Sequence, residues 1–516
     1  MLKICYTQLV QMSWRKVGFM KYFLAFDVGT TSMKCILYDM DFNEVFVDNE
    51  EYSLLTPENN VVEIESDTYF DVFIKSVRKI WDEGIKPEDV LSITFTTQGE
   101  TLVAVDESGE ALTNAIVWLD SRAEKEAEFI KSQISSDEFY SVTGLGGIDG
   151  ALPLAKLMWL SENKPDVYEK THKFLLLEDY LIFKLSGKFV TEMSLLSSTG
   201  WFNIVDEKYH KKFLDICNLS EEKLPEILRC GERVGNVSEE AAKICGLSTD
   251  TVLVSGAMDQ VASAIGAGNV CEGVVTETTG TALVVGATVK EPDFSSDIKT
   301  TVYKHFDDKF LYMPYCPTAG IVLKWFKDTL MGDLKAEAEK LGKSAYTLID
   351  ELAQEARPGC DGVMCLPHFS GKDGAENVKG AFVGITLKTG KAELSRSVLE
   401  GIACMLNEQV EILLKTGLEI KEIRSLGGGS YSDIWAKIKA SLCNVDIVRT
   451  GVAQSTALGA AILGAVALGV YSSVEEALGK IVTDEKVTKP VKEESLIYKE
   501  VYKEYSKYYE VLAKKI

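Results

Sequence analysis

The chain has 516 residues. That is too long for one hydrophobic core, because single cores stop growing at about 250–300 residues. Its formal net charge of −23 argues against a nucleic-acid partner, since binding to a phosphate backbone requires clustered Lys and Arg side chains. The 11 cysteines include no Cys-x-x-Cys pair and histidines number only 4. This pattern predicts reduced thiols in a cytoplasmic protein, without a structural zinc site.

The first residues of the chain do not resemble a secretory signal, because residues 1–19 lack a clean apolar core and a small-residue cleavage site. The first strand pattern begins directly after Met20 and Lys21, which look like a translation start. We therefore expect residues 1–19 to be an extension or a start-site artefact. The longest apolar stretch, 457–470, is shorter than the ~18 residues needed to cross a bilayer, so no membrane partner is predicted.

Strand and helix patterns alternate along the chain. A final helix at 492–515 is expected to pack one face of tyrosines on the body. Such alternation is typical of layered α/β domains. Apolar, β-prone runs predict strands at 22–26, 34–38, 91–96, 102–105 and 251–254, and a three-to-four-residue apolar spacing predicts helices at 68–81, 123–132, 154–162 and 393–415.

Two Gly-Thr turns, one in each half of the chain, carry the most information. Residues 24–32 read LAFDVGTTS and residues 274–285 read VVTETTGTALVV, so each turn joins two apolar runs. This pattern predicts a β-hairpin whose tip offers backbone N–H groups and hydroxyls to a small anion. The repetition indicates a duplicated domain that holds the phosphates of one nucleotide. A glycine cluster at 427–429 leaves two alternatives, a flat surface for a base or sugar and a plain turn before a helix.

These turns and several further motifs resemble those of the FGGY carbohydrate kinase family over about residues 21–510. The resemblance implies an α/β fold of two duplicated ribonuclease-H-like domains of the actin/hexokinase ATPase type, with a central cleft. We expect a sugar-binding domain at 20–255 and a nucleotide-binding domain at 256–516. The first family signature departs at Ala151, where the family has an aromatic residue, Met, Gly or Ser. The matching positions are Pro153, Lys156, Leu157, Trp159, Leu160, Glu162 and Asn163 for the first signature, and 380–385, 393–394 and 397–400 for the second.

The resemblance implies ATP as a substrate and Mg²⁺ as its cation, with Asp27 organising the Mg²⁺ through water. The residues alone favour a plainer role for Asp27 as a strand-end carboxylate that caps the following turn. For Lys324 and Asp433 the alternative is a solvated surface charge. The groups implied to hold phosphate are Thr30, Thr31, Ser32 and Lys34 in the first turn and Thr279, Gly280 and Thr281 in the second, and those implied to line the adenosine pocket are Gly320, Lys324, Gly428, Gly429 and Asp433.

Asp259 falls at the position of the family's catalytic aspartate. A sugar hydroxyl becomes a good nucleophile when a carboxylate within hydrogen-bond reach accepts its proton. From the residues alone, the alternative is an ordinary helix N-cap, a position that Asp fills readily. With this base, the resemblance implies an enzyme that transfers phosphate from ATP to a hydroxyl and closes its domains over the substrates.

Polar residues that follow predicted strands are candidates for the sugar site, because hydrogen bonds to hydroxyls select one sugar over another. They are Gln98, Gly99, Glu100, Trp118, Asp120 and Arg122, with Gln260 beside the base. The alternatives are core packing for Trp118 and a salt bridge for Arg122. Gly99 stands where glycerol kinases of the family carry Arg, and Gly99-Glu100-Thr101 stands where xylulokinases usually carry Met-His-Gly.

We therefore expect the substrate to be a small sugar or polyol, with a pentulose such as D-xylulose as the leading prediction. Glycerol, gluconate, ribulose and erythritol are alternatives within the family. A non-catalytic, chaperone-like member of the same ATPase fold is the alternative from a different class. The oligomeric state is left open, and a homodimer is expected only by analogy.

Overall fold

The computed structural model describes residues 20–294, 298–371, 379–482 and 484–515, with the side chains of 513–515 left out. The proposed extension at 1–19 lies outside the described residues. The chain divides into two compact units. Unit 1 contains the residues up to 270 together with 289–311 and 454–482, and unit 2 contains 271–288, 312–453 and the C-terminal segment. The sequence boundary at 255/256 stays a prediction.

The main sheet of unit 1 brings three parallel strands side by side. Its strands are β1 (Tyr22–Val28), β2 (Ser32–Tyr38), β3 (Glu44–Glu51), β6 (Val90–Thr97), β14 (Arg233–Asn236) and β15 (Val252–Met258), in the order β14-β15-β6-β1-β2-β3. Strand β6 is parallel to both β1 and β15. The carboxyl ends of these three strands therefore meet at one edge, which is where open α/β sheets bind ligands.

Helices cover both faces of this sheet. The first long helix, α1 (Asp67–Asp82), packs Phe73 into the core that contains Phe95 of β6. The glycine-rich helix α16 (Ser455–Ala467) approaches the hydroxyls of Ser92 and Thr94 through Gly464. Since side chains alternate along a strand, α1 and α16 lie on opposite faces.

Helix α16 belongs to unit 1 because it packs closely against α10 (Asp259–Gly266). A Cβ atom at Gly459 would lie 1.9 Å from the carbonyl oxygen of Ala262, and one at Gly266 would lie 1.9 Å from that of Ser455. Only glycine allows the two backbones to come this near. The predicted buried, small-residue helix at 457–470 is thus confirmed as α16.

The rest of unit 1 consists of a small second sheet, short hairpins and peripheral helices. The second sheet has the order β4-β5-β8-β7-β9 for β4 (Leu55–Glu58), β5 (Val61–Ile64), β8 (Ala115–Ile116), β7 (Leu102–Val105) and β9 (Lys173–Leu176). The other elements are α2 (Glu124–Gln133), α3 (Ser136–Thr143), α4 (Pro153–Asn163), α5 (Pro165–Lys170), α6 (Leu177–Ser186), β10 (Val190–Glu192), α7 (Met193–Leu196), β11 (Phe202–Asn203), β12 (Lys208–Tyr209), α8 (Lys211–Ile216), β13 (Glu226–Leu228), α9 (Glu239–Cys245), β18 (Val302–Lys304), β19 (Phe310–Tyr312) and α17 (Val474–Leu478).

Unit 2 repeats the pattern of a hairpin followed by parallel strands. The hairpin of β16 (Val274–Thr279) and β17 (Leu283–Val289) is antiparallel, and β16 continues in parallel to β23 (Glu422–Leu426) and β24 (Asp446–Arg449). Strand β20 (Tyr315–Cys316) pairs with β17, and β25 (Lys486–Thr488) pairs with β24. The other elements are α11 (Gly320–Thr329), α12 (Gly332–Leu341), α13 (Ala345–Glu355), β21 (Met364–Leu366), β22 (Ala381–Val383), α14 (Lys391–Lys415), α15 (Asp433–Cys443) and α18 (Lys492–Lys515).

The sequence predictions of secondary structure are confirmed. Both Gly-Thr turns are the tips of antiparallel hairpins, and each predicted strand and helix is present with ends shifted by a few residues. In α18 the tyrosine face is buried, with Tyr498, Tyr505 and Tyr509 all removed from solvent. Across the described ranges, no helix is long and apolar enough to cross a membrane.

Candidate active site

The first Gly-Thr turn (residues 29–32) is held by its own backbone and by a tyrosine that the sequence analysis missed. The N–H of Gly29 donates to the carbonyl of Ser32 at 2.9 Å, which closes the hairpin. The hydroxyl of Tyr52 donates to the carbonyl oxygens of Gly29 and Ser32, and its N–H donates to that of Thr31 at 3.0 Å. Thr31 remains exposed at the tip. The turn is thus fixed while its outer surface stays open.

Asp27 and Lys34 are cross-strand neighbours in this hairpin, and the Lys34 ammonium lies 3.8 Å from Oδ2 of Asp27. Burial raises the pKa of Asp27, and Lys34 opposes that shift. A half-buried carboxylate with a single distant cation fits a Mg²⁺ that keeps most of its water shell. Among the described residues no cluster of three or more His, Cys, Asp or Glu side chains suits a metal held by protein ligands alone.

The residues after β6 join the same edge of the sheet. The N–H of Gln98 donates to the carbonyl of Val28 at 3.1 Å, which ties the end of β6 to β1. The Gln98 amide is buried and donates to the Tyr69 hydroxyl at 3.4 Å. Gly99 is enclosed, because a Cβ atom there would lie 3.0 Å from Oγ of Ser198.

Glu100 and Lys156 are oppositely charged neighbours at this edge. Burial raises the pKa of Glu100 to about 7, the charge of Lys156 opposes this shift, and Asp149 and Asp259 add to it. Burial lowers the pKa of Lys156 to about 8. The Lys156 ammonium donates to the carbonyls of Val117 at 3.0 Å and of Trp118 at 3.4 Å. Lys156 therefore supports the loop that carries Trp118.

The Trp118 loop is linked to the first Gly-Thr turn. The indole N–H of Trp118 donates to the hydroxyl of Thr30 at 2.9 Å, while 38% of the residue remains exposed. Core packing, the alternative for Trp118, does not describe a side chain with this exposure. The exposed indole is available to a ligand, although its N–H is already engaged.

Asp120 and Arg122 are engaged with each other. The guanidinium donates to Asp120 at 2.9 and 2.7 Å and to Glu63 at 2.7 Å, and it stacks 4.9 Å from the ring centroid of Trp159. The second carboxylate oxygen of Asp120 also accepts the N–H of Val62 at 2.6 Å. Arg122 thus forms the salt bridge that was the alternative reading, and direct binding of sugar by this pair stays a prediction.

Asp259 is the first residue of α10, directly after β15. Met258 occupies the N-cap position, so the N-cap alternative for Asp259 does not hold. Burial raises the pKa of Asp259 to about 7, the charge of Asp27 adds to this shift, and hydrogen bonds involving Gln260 oppose it. Because Met258 pairs with Thr97 of β6, Asp259 lies at the edge where Gln98 and Glu100 also lie. A half-buried carboxylate with a pKa near neutrality suits a general base.

In unit 2 the second Gly-Thr turn (residues 279–281) contacts two other glycine segments. The N–H of Ala319 donates to the carbonyl of Thr281 at 2.9 Å, at the start of α11. A Cβ atom at Gly320 would lie 2.2 Å from the carbonyl oxygen of Gly280, and one at Gly429 would lie 3.7 Å from that of Thr279. The turn, the start of α11 and the glycine cluster at 427–429 therefore lie against one another, with Gly280, Gly427 and Gly428 exposed.

A buried ion pair, which sequence reasoning missed, supports these segments. Lys439 of α15 lies 2.6 Å from Oε1 of Glu277 and donates to the hydroxyl of Thr279 at 3.2 Å. That hydroxyl donates to Oε2 of Glu277 at 2.7 Å, and the hydroxyl of Ser425 also donates to Glu277. The Thr279 side chain is thus engaged internally, and its contact with phosphate stays a prediction. The sequence signal for this pair was the position of Glu277, a charged residue that alternates with threonines in a predicted strand.

Two predicted nucleotide residues lie on the surface of unit 2. Lys324 pairs with Asp328 at 3.0 Å, and Asp433 pairs with Lys486 at 2.6 Å. The side chains of Lys324 and Asp433 are more than half exposed. Their contact with adenosine stays a prediction beside the surface-charge alternative.

Comparison with known proteins assigns both halves of the chain to the same family. Residues 22–266 match the N-terminal domain of the FGGY family of carbohydrate kinases, and residues 275–468 match its C-terminal domain. A glycerol kinase of Thermococcus onnurineus is 30% identical over 92% of this chain and 94% of its own length. The gluconokinase of Bacillus subtilis is 28% identical over 88% of this chain and 89% of its own. The crystal structure of ligand-bound xylulose kinase from Lactobacillus acidophilus superposes with a TM-score of 0.87 at 27% identity, covering 96% of this chain and 99% of that one.

A two-domain α/β fold of the actin/hexokinase-like ATPase type, with a carboxylate at the carboxyl edge of its sheet, defines a phosphotransferase of the sugar-kinase class. The chain belongs to the FGGY family of carbohydrate kinases. It is accordingly an enzyme that transfers phosphate to an alcohol group, and its fold is one that uses ATP. Relatives of similar identity bear three different substrate names, so the family alone does not select the sugar.

Proposed function

We propose that the chain transfers the terminal phosphoryl group of ATP to a hydroxyl of a small neutral sugar, with a pentulose such as D-xylulose as the leading candidate. The observation that carries this proposal is Asp259, a half-buried carboxylate whose pKa is raised to about 7 and which lies at the same strand edge as Glu100. The assignment of the N-cap position of α10 to Met258 rather than to Asp259 supports this role. In this proposal Asp259 accepts the proton of the attacking hydroxyl.

The other groups position the substrates. Other backbone N–H groups at the tips of the two Gly-Thr turns bind phosphate oxygens, each within its own unit, while the N–H groups of Gly29 and Gly280 close the hairpins. Gly428 and Gly429 present bare backbone to adenosine. Mg²⁺, held by Asp27 through water, would neutralise charge on the phosphates. Gln98 and Glu100 supply a buried amide and a carboxylate that can accept or donate hydrogen bonds to sugar hydroxyls.

Charge favours a neutral sugar over gluconate. The groups that influence Glu100 electrostatically are Asp149, Asp259 and Lys156. Lys156 is the cation among these three groups, and it already donates hydrogen bonds to two backbone carbonyls. A substrate carboxylate placed beside Glu100 would be repelled by Asp149 and Asp259 whenever these acids are ionised, because like charges at short distance are unfavourable.

The surroundings of Gly99 disfavour the arrangement of a glycerol kinase. Glycerol kinases of the family carry Arg at this position. Here a Cβ atom would lie 3.0 Å from Oγ of Ser198 and 3.6 Å from Cγ of Met258, so a long side chain requires both neighbours to move. A glycine therefore fits this crowded position, whereas the arginine of a glycerol kinase does not.

The proposal is tested by measuring ADP release with D-xylulose, D-ribulose, L-ribulose, erythritol, glycerol and gluconate, in parallel with an Asp259→Asn variant. We expect the highest kcat/KM for a pentulose and a low value for gluconate, with kcat lowered by about 10²–10⁴-fold in the variant. A preference for gluconate would contradict the charge argument. Slow ATP hydrolysis that no sugar accelerates would instead favour a non-catalytic member of the fold. A cytoplasmic location and a homodimer stay predictions.

A further inference from the structure

Strand β15 contains a bulge immediately before Asp259. Between residues 254 and 257 the strand advances three positions, while its parallel neighbour β6 advances two, from 94 to 96. Such an extra residue leaves backbone groups outside the ladder and changes the direction of the strand. The bulge therefore sets the direction in which the chain enters α10.

Gly256 lies within this bulge and cannot carry a side chain. A Cβ atom there would lie 1.5 Å from the carbonyl oxygen of Phe95. The N–H of Gly256, which has left the ladder, donates to Oε1 of Glu178 at 2.7 Å. A buried N–H without an acceptor is costly, so Glu178, from the start of α6, stabilises the bulged conformation.

A second buried acid reaches the strand through a serine. The N–H of Met258, the residue before Asp259, donates to Oγ of Ser194 at 2.9 Å. That hydroxyl donates to Oε1 of Glu192 at 2.6 Å. Glu192 is held in turn by the N–H groups of Ser194 and Leu195, each at 2.6 Å, and by the thiol of Cys230 at 2.8 Å. The N–H of Met258, the hydroxyl of Ser194 and the carboxylate of Glu192 thus all have hydrogen-bond partners.

Both acids are completely enclosed by protein. Burial raises the pKa of Glu178 far above its ordinary value, and the charge of Glu192 adds to this shift. Glu178 accepts the N–H of Gly256, and Gln has the same size and an oxygen that can accept the same N–H. This similarity provides a conservative substitution for a test.

We propose that Glu178 and the Ser194–Glu192 pair are positioning residues for phosphoryl transfer. They hold the N–H groups of Gly256 and Met258 and thereby fix the direction of the Asp259 carboxylate. This inference rests on the proposed role of Asp259 as the general base. None of the three touches a reacting atom, and each acts through the backbone of β15.

The test compares Ser194→Ala, Glu178→Leu and Glu178→Gln with Ser197→Ala as the matched control. Ser197 is also buried, and its hydroxyl accepts a backbone N–H, that of Lys304 at 3.0 Å, outside β15. We expect kcat to fall by about 10²-fold in Ser194→Ala and Glu178→Leu with the KM for ATP unchanged, because small displacements of a reacting group have effects of this size. Glu178→Gln should retain kcat, and Ser197→Ala should lower the Tm but not kcat.

Amide hydrogen exchange gives a readout that does not depend on turnover. Exchange at 256–258 should become faster in Ser194→Ala and stay slow in Ser197→Ala. If Ser194→Ala and Ser197→Ala behave alike in kcat and exchange, the network is only structural and the inference is wrong. If Glu178→Leu does not fold, Ser194→Ala alone decides. Wild-type kcat in Asp259→Asn would reject the proposed function itself, whereas lost kcat there with normal kcat in Ser194→Ala rejects only this inference.

Discussion

The ammonium of Lys439 lies 2.6 Å from a carboxylate oxygen of Glu277, and both side chains are almost completely removed from solvent. The pair joins α15 to the strand that leads into the second Gly-Thr turn. Lys439 also lies 4.4 Å from the ring centroid of Trp435, which packs beside Gly429. One ion pair therefore supports both the second Gly-Thr turn and the glycine cluster at 427–429.

Removing one partner of this buried ion pair should lower the free energy of unfolding far more than removing one partner of an ion pair on the surface. Lys439→Met leaves the Glu277 carboxylate buried and unpaired, which costs about 3–5 kcal/mol of unfolding free energy. We expect a large fall in Tm and a higher KM for ATP. Lys437→Met is the control, because its pair with Glu494 at 2.6 Å is 42% exposed on the lysine side and contributes about 1 kcal/mol or less.

The double variant Glu277→Gln/Lys439→Met separates charge from packing. It should recover part of the Tm lost in Lys439→Met, since no unpaired charge remains buried. Equal Tm values for the Lys439→Met and Lys437→Met variants in thermal unfolding would contradict this account.

Asp259→Asn should lower kcat by about 10²–10⁴-fold, because it removes the proton acceptor and keeps the shape of the side chain. The KM for ATP should stay unchanged. Asp250→Asn, at an exposed position just before β15, is the control and should retain full activity. Steady-state kinetics with the best sugar measures both, and wild-type kcat in Asp259→Asn would remove this residue from the mechanism.

Asp259→Asn should also change how the stability of the folded protein depends on pH. The pKa of Asp259 is raised in the folded state from 3.8 to about 7, so the folded protein binds more protons between these values than the unfolded chain does. Stability contributed by the protonated carboxyl is therefore lost as pH rises through this range. Asn does not titrate, so Asp259→Asn should gain Tm relative to the wild type as the pH increases. A constant difference in Tm across the range would contradict the raised pKa.

Activity, unlike the stability contributed by this carboxyl, should increase as the pH rises. The base must be deprotonated, so kcat/KM should rise as pH increases through about 7. Glu100 has its pKa raised to about 7 as well, and both groups contribute to the acid limb. In Glu100→Gln this limb should become shallower. A profile that is flat around neutral pH would contradict the assignment of Asp259.

Alanine substitutions at two glycines of unit 2 distinguish a glycine required for close packing from one required for contact with the ligand. In Gly320→Ala the new methyl group lies 2.2 Å from the Gly280 carbonyl oxygen, so both Tm and ATP affinity should fall. In Gly428→Ala no described atom lies within 4 Å of the new methyl group, so Tm should stay constant. If the glycine cluster contacts adenosine, the KM for ATP rises in Gly428→Ala, and an unchanged KM would identify the cluster as a plain turn.

Much of the local structure could be predicted because it depends on short-range patterns. The hairpins around Gly29 and Gly280 follow from apolar runs that flank glycine and threonine, and α14 follows from its apolar spacing. The order of the family motifs allowed Asp259 to be singled out. The hairpins and α14 are determined by neighbouring residues, whereas Asp259 was identified through the resemblance to a family motif.

The partners of the site residues depended on contacts between distant segments. Tyr52 supports the first turn, Arg122 is engaged by Asp120 and Glu63, and Glu277 is paired with a lysine far along the chain. No local pattern states which buried charges meet, because only the packing of the sheet and its helices brings them within hydrogen-bond distance. The sequence by itself thus determined the elements, the family and the candidate base. The tertiary structure decided which polar groups are free to meet a ligand and which are satisfied internally, since a buried donor or acceptor must find its partner within the fold.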